Sequence, residues 1–166
     1  VVPMLGARAP SVFLKTRFVE AIGAFSPDGR WVAYNQTNES GARDVYVRPF
    51  VPPGAADTAA GVAESQWQVS TAGGFFPLWR RDGKELYYIS PAGEMMAAPI
   101  TVVGDTLQPG APVVLFPTRI VGGGASGQIG VNYDVAPDGR FLINTELPGD
   151  AAPITLIQNW TPDAKR

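Results

Sequence analysis

The chain has 166 residues, 45% hydrophobic and 17% charged, a balance that is typical of a folded domain and argues against disorder. Its 13 basic and 15 acidic residues give a net charge of −2, so we predict no nucleic-acid partner, and no apolar run is long enough to predict membrane insertion of this segment. The absence of Cys and His excludes disulfides, thiolates, a Ser-His-Asp triad and an imidazole base, so an enzyme built on this chain would depend on carboxylates, Lys, Tyr or a bound ion.

Turn-forming residues are spread over the whole length, with 19 glycines and 16 prolines. They leave no window with the apolar period of an amphipathic helix, whereas short runs rich in Val, Tyr, Phe and Trp lie between them. This pattern predicts an all-β fold. Residues 1–10 are interrupted by Pro3 and do not start with a basic segment, so we predict an irregular N-terminal edge and no signal peptide.

The next segment, SVFLKTRF at residues 11–18, is predicted to be a strand outside any complete unit. A motif then occurs three times, as FSPDGRWVAY, WRRDGKELYY and VAPDGRFLIN, with Asp-Gly pairs that start 54 and 56 residues apart. This period lies slightly above that of four-stranded propeller blades. Because Gly supplies the positive φ of a tight hairpin and Asp can accept backbone N–H groups, six residues are predicted to be structural turn residues: Asp28, Gly29, Asp82, Gly83, Asp138 and Gly139.

Each copy of the motif belongs to a unit of candidate strands. The first unit, residues 19–71, has predicted strands at 21–26, 30–37, 44–50 and 66–71. The second unit, residues 72–116, has them at 75–80, 85–90, 94–100 and 112–116. The third unit, residues 130–160, has them at 131–136, 140–146 and 154–160 and lacks a fourth strand, which we predict residues 11–18 to supply. Residues 51–64 and 118–130 are predicted to be surface loops.

The segments FSPDGRWVAY, DVYVRPF, STAGGFFPLWRRDGKELYYIS, YDVAPDGRFLIN and PITLIQNW resemble, in this order, the PD40 (TolB-like, WD40-like) β-propeller repeats. The similarity covers residues 13–160. Within the repeat family, the segments most resemble the C-terminal propeller of many bacterial serine/threonine protein kinases. It implies a partial propeller of about three four-stranded blades over residues 11–166. It also implies a sensor located outside the cytoplasm, in the periplasm, because such kinases place a membrane helix before the propeller. The kinase motifs themselves are absent from the sequence, so phosphoryl transfer is not expected.

Propellers of this family have more than three blades. A piece of three blades would expose the apolar faces of its first and last blades, together with unpaired strand edges. We therefore predict self-association, in which two chains form a six-bladed ring about a two-fold axis. Each strand at residues 11–18 would then complete the third blade of the other chain, beside residues 154–160.

One group of candidate site residues lies on the strands that would line the central channel of a propeller: Glu20, Asn132 and Asp134. Paired carboxylates can bind Ca²⁺ or another divalent cation, or polarise a water molecule. The alternative is that these side chains accept backbone N–H bonds or face solvent. Apart from such a cation, we predict no cofactor.

A second group lies on predicted loops, where binding residues concentrate because the scaffold beneath them is rigid. Asn38, Glu39 and Arg43 are predicted to share one face with residues 71–74 and 93–94. Arg80 and Arg81 are predicted to lie at the opposite end with the Asp-Gly turns. The four tryptophans are predicted to pack in the core between units: Trp31, Trp67, Trp79 and Trp160.

Together these features favour a non-catalytic module that binds a small ligand or a protein across its loop face, as the sensor portion of a kinase-like protein. One alternative is a small hydrolase that uses the channel carboxylates and a bound cation. Another is a structural assembly domain. The sequence does not distinguish the chemistry of the ligand.

Overall fold

The structure is a computed structural model that describes residues 1–2, 10–52, 65–120 and 132–145. Within these ranges the chain forms eleven β strands and no helix, which confirms the predicted all-β class. The strands form three antiparallel sheets that follow one another along the chain.

The first sheet contains β1 (Glu20–Phe25), β2 (Trp31–Thr37), β3 (Arg43–Pro49) and β4 (Trp67–Gln68), paired in that order. The first three strands lie within one residue of their predicted bounds. The fourth is shorter than the predicted 66–71, because the N–H groups of Val69 and Ser70 both point to the carbonyl of Val45 instead of continuing the ladder.

The second sheet contains β5 (Phe75–Trp79), β6 (Glu85–Ile89), β7 (Glu94–Val103), β8 (Thr106–Pro109) and β9 (Val113–Pro117). β7 pairs with β9 through its first half and with β8 through its second half. The hairpin between β7 and β8 was not predicted. It turns at Gly104, whose φ is 60°, and it places the fully buried Leu107 in the core between the first two sheets.

The third sheet contains β10 (Tyr133–Val135) and β11 (Phe141–Ile143) in the described residues. An isolated bridge between Ile120 and Thr145 extends it toward the end of the second sheet. The predicted third strand, residues 154–160, lies outside the described residues, and so does Trp160.

The prediction of a strand at residues 11–18 is wrong for this chain, because no regular strand forms there. The segment lies against the first sheet instead. The ring of Phe13 is 5.5 Å from that of Phe50, and the guanidinium of Arg48 lies over it. The apolar residues of the segment are compatible with a strand, but the aromatic and cation contacts of Phe13 hold it against the sheet without a strand partner.

The Asp-Gly pairs lie in the first hairpin turn of each of the three sheets. In each turn the Asp Oδ1 accepts the N–H of the residue two positions later, at 3.1, 3.0 and 3.2 Å for Arg30, Lys84 and Arg140. The glycines have φ values of 71°, 72° and 86°, which residues with a Cβ rarely adopt. The hydrogen bonds and glycine conformations within the turns therefore explain why Asp and Gly occur at these six positions.

The second sheet is packed between the other two, and alternate side chains of β6 pack against the first sheet and against the third. Leu86 and Tyr88 belong to the cluster shared with the first sheet, while Tyr87 and Ile89 belong to the cluster shared with the third. Trp31 and Trp79 are buried in the first cluster, and Trp67 packs against it. The predicted core position of these three tryptophans is confirmed.

The first strands of the first two sheets carry the same irregularity. The pairing of β1 with β2 and that of β5 with β6 each shift register, and Ile22 and Phe76 have φ values of 53° and 55° there. These two residues are 54 positions apart, the spacing of the Asp-Gly pairs. A positive φ is unusual for a residue that is not glycine, and unusual strain of this kind persists only where the surroundings fix it.

Each irregular strand accepts a hydrogen bond from an aromatic side chain of the following sheet. The indole Nε1 of Trp79 donates to the carbonyl of Ala24 at 3.1 Å, and the hydroxyl of Tyr133 donates to the carbonyl of Phe76 at 2.7 Å. Burial raises the pKa of Tyr133 well above its usual value, so this phenol remains a donor. These two bonds fix the first strands of successive sheets relative to one another.

Replacing Gly74 by Ala is expected to lower the free energy of unfolding by about 1–3 kcal/mol, because overpacking strains a dense core. The new Cβ would lie 2.7 Å from Cδ2 of Tyr88 and 2.9 Å from Cγ2 of Val45. Urea unfolding followed by tryptophan fluorescence measures the change. The control is Gly23→Ala, whose Cβ would lie 3.6 Å from Val32, an ordinary contact. Equal stability of the two variants would contradict the close approach at Gly74.

Candidate functional site

Loops of the first and second sheets enclose a groove of about 810 Å³. One side is the connection between β2 and β3, and the other is residues 71–73 with the turn that follows β6. The predicted convergence of these loops is observed, because Asn38 and Arg43 line the same groove as residues 71–73. The full lining is Asn38, Gly41, Ala42, Arg43, Asp44, Tyr46, Gln68, Thr71, Ala72, Gly73, Phe75 and Pro91.

Asp44 forms a polar network in the wall of the groove. The side chain is buried, and its two oxygens accept hydrogen bonds from Ser70 Oγ and Asn38 Nδ2, each at 3.0 Å. Ser70 Oγ in turn accepts the N–H of Val45. The carboxylate is therefore held by protein donors, which makes its position independent of any ligand.

Asn38 shapes the loop at the mouth of the groove. Its side-chain oxygen accepts the N–H groups of Ser40 and Ala42 at 3.0 and 3.1 Å and the hydroxyl of Ser40 at 2.6 Å. The backbone N–H of Asn38 donates to the carbonyl of Ala42. An Asn that bonds to the backbone just beyond it stabilises a tight turn, so this loop is ordered by its own sequence.

Arg43 is half-buried in the groove lining and has no hydrogen-bond or ion-pair partner for its guanidinium among the described residues. Its backbone is fixed, since its carbonyl accepts the N–H of Gly74 at 2.9 Å. Nearby, burial and the negative charge of Asp44 raise the pKa of Tyr46, which keeps this phenol neutral. The groove thus combines the Arg43 cation, whose backbone is fixed, with neutral polar groups and the internally bonded carboxylate of Asp44.

Glu39, the third predicted loop residue, lies outside the groove lining. It is exposed and forms an ion pair with Arg17. Glu94, predicted for the same face, is half-buried, and its carboxylate accepts a 3.4 Å bond from the hydroxyl of Ser90. These carboxylates are satisfied locally and do not contribute to the groove.

The predicted channel residues are not joined to one another by any hydrogen bond in the described part of the chain. Glu20 accepts the N–H and hydroxyl of Thr16, and Asp134 is exposed and accepts the N–H of Val135 at 2.8 Å. Asn132 is half-buried, and its carbonyl accepts the N–H of Asn144. No group of three or more acidic residues that could hold a metal ion occurs in residues 1–2, 10–52, 65–120 and 132–145.

A second depression, of about 260 Å³, lies between the first two Asp-Gly turns, and its lining includes Asp28, Asp82 and Lys84. Burial opposes the ionisation of Asp28. Hydrogen bonds from Ser26 and the N–H of Arg30, with the charge of Arg30, outweigh that effect and lower the pKa of Asp28. Arg80 pairs with Glu85 and Asp82 at the same end. These contacts organise the turns, and the carboxylates of Asp28 and Asp82 are both engaged in them.

The buried polar residues were not identified from the sequence, and one of them has side-chain atoms without a partner in the described part of the chain. Asn35 in β2 is 1% exposed, and neither its amide nitrogen nor its amide oxygen has a partner in the described residues. It lies opposite Ala21 and Val45, and 54 positions later the second sheet has the buried Ile89. Comparison of the two repeats could have identified it as a polar residue at an apolar core position.

A comparison of the sequence with protein-family models and with curated proteins finds no match. None of the described residues forms a helix long and apolar enough to cross a membrane.

The variant Asn35→Leu, which keeps the branched shape and removes both unpaired atoms, is expected to raise the free energy of unfolding by about 1 kcal/mol. Thermal and urea unfolding measure the change. The control is Gln36→Leu, because Gln36 is also buried but bonds to Gln66 and Thr16 and should lose stability when replaced. A loss of stability in Asn35→Leu as large as in the control would contradict the unpaired state of Asn35.

Proposed function

We propose that the three sheets are successive blades of a partial β-propeller of the PD40 type. Three features support this proposal. The Asp-Gly turn recurs in the first hairpin of each sheet, the irregular residues Ile22 and Phe76 have the same spacing, and each sheet faces the next through alternate residues. A propeller accounts for all three by stacking equivalent sheets around an axis.

We further propose that the domain is a non-catalytic binding module, the sensor portion of a kinase-like protein outside the cytoplasm. The groove of about 810 Å³ between the loops of the first two blades carries this proposal. Its walls are ordered by Asn38 and Asp44, whose bonds are internal. A preformed groove binds with a smaller loss of conformational entropy than a flexible surface does.

Filling the groove is expected to abolish binding. Compounds and peptides that raise the melting temperature of the protein should lose their effect in Ala72→Trp, because the new side chain would occupy the space beside Arg43. Ala111→Trp is the control, since Ala111 is also exposed but lies outside the groove lining. Stabilisation that persists in Ala72→Trp would exclude the groove as the site. Turnover of a bound compound would contradict the non-catalytic assignment.

Assembly of two copies is favoured by a separate observation. Leu142 in β11 is 77% exposed, whereas Tyr87, at the position of β6 that faces the following blade, is 4% exposed. The third sheet covers the face of the second sheet that carries Tyr87. The corresponding face of the third sheet, which carries Leu142, is open. We propose that a second chain covers it and completes a ring, as the exposed apolar residue favours.

Light scattering at micromolar concentration is expected to give twice the chain mass of 17.6 kDa. Leu142→Lys should return the mass to that of one chain, because it would bury a charge in the new interface. Leu115→Lys is the control, since Leu115 is exposed on β9, away from this face. A single-chain mass for the unmodified protein would overturn the assembly proposal.

A further inference from the structure

Arg43 differs from the other described cationic side chains in its surroundings. Four of them pair with carboxylates: Arg17, Arg30, Arg80 and Arg140. Arg48 lies over the ring of Phe13. The remaining four of the described cationic side chains, which have no such contact, are exposed: Lys15, Arg81, Lys84 and Arg119. Arg43 alone among the described residues is a half-buried cation with no partner.

The neighbouring carboxylate does not neutralise Arg43. Asp44 is the acidic residue of the described groove lining, and its oxygens are taken by Ser70 and Asn38. No ion pair joins it to Arg43. A guanidinium that has lost part of its hydration without gaining an anion raises the free energy of the empty groove. An anion supplied by a ligand would offset that cost.

The rest of the groove is suited to an apolar group. Ala72, Phe75 and Pro91 belong to the second blade and its preceding link, and they line the groove together with Arg43. Phe75 is 7% exposed, so its ring is fixed by the core beneath. One cation next to an apolar surface is the arrangement that recognises an acid with an apolar body.

We propose that the groove binds a ligand with a carboxylate and an apolar body, with the Arg43 guanidinium hydrogen-bonded to the carboxylate and Ala72, Phe75 and Pro91 in contact with the apolar part. The planar guanidinium matches the two oxygens of a carboxylate. The carboxylate can be the C-terminus of a peptide or that of a small organic acid, which share this chemistry. This inference rests on the proposed function, since it names the ligand class of the same groove.

The test compares acids with their amides on the full chain. Two pools of fluorescein-labelled hexapeptides end in Leu, Phe or Tyr and differ in having a free carboxylate or a carboxamide, and 3-phenylpropionate and its amide form a small-molecule pair. Fluorescence polarisation follows the peptides, and calorimetry follows the small pair. At least one acid should bind about tenfold or more tightly than its amide, because charge-assisted hydrogen bonds are stronger than neutral ones. Preference for the peptide or for the small acid identifies the source of the carboxylate.

The variant Arg43→Gln should weaken binding of the acid about tenfold or more and leave the amide unchanged. Arg81→Gln is the matched control, because Arg81 is exposed, has no partner in the described residues and lies outside the groove. The comparison of acid with amide on the unmodified protein does not depend on either variant folding.

Equal affinity for acid and amide, full acid affinity in Arg43→Gln, or no binding of any acid would each overturn the carboxylate inference. The proposed function is judged separately, by whether Ala72→Trp abolishes binding of any panel compound. A compound that binds in the groove without a carboxylate therefore rejects the inference and supports the binding module.

Discussion

The spacing of the first two sheets depends on a link that has no room for a side chain at Gly74. The N–H of Gly74 donates to the carbonyl of Arg43, and a Cβ at this position would meet Tyr88 and Val45. At Gly73 a Cβ would lie 2.8 Å from Pro91. The link is thus bound to β3 on one side and packed against the turn after β6 on the other, so one set of contacts holds both walls of the groove at a fixed separation.

The irregular first strands extend the same order to the third sheet. A positive φ at Ile22 or Phe76 costs about 1–3 kcal/mol if nothing compensates. The bonds from Trp79 to Ala24 and from Tyr133 to Phe76 place a buried donor on a carbonyl at or near each irregular residue. Losing the Tyr133 donor would leave the carbonyl of the buried Phe76 without this partner, and Trp79 supplies the corresponding donor to the partly buried Ala24.

The strands of the first two sheets could be predicted because alternation and the Asp-Gly pairs are local signals that packing reinforces. The hairpin at Gly104 escaped prediction because β7 continues three residues past the predicted end at Ile100, where its side chains become exposed. Residues 11–18 were misassigned because the composition of a short segment does not reveal whether a free sheet edge exists within the chain. The irregular residues Ile22 and Phe76 carry no sequence signal, since their conformation is imposed by neighbours distant in sequence.

For the site, Asn38 and Arg43 were correctly predicted to lie near residues 71–73, because alternate loops of an antiparallel meander lie at the same end of the sheet. Which ionisable residue is available for a ligand could not be predicted, since that depends on which groups already have a partner in the fold. Glu20, Glu39 and Asp134 are bonded to neighbouring protein groups, and so is Asp44.

An unpaired polar group has different consequences in the core and in a groove. Leaving a buried amide such as Asn35 without a partner costs about 1–3 kcal/mol, and no ligand can reach it to recover that cost, so it lowers stability alone. Arg43 lies in the lining of an open groove, where a ligand of the proposed class could reach it and offset the free-energy cost of its missing partner. Accessibility therefore separates the two cases, and by that criterion the proposed binding function would depend on Arg43 rather than on the carboxylates.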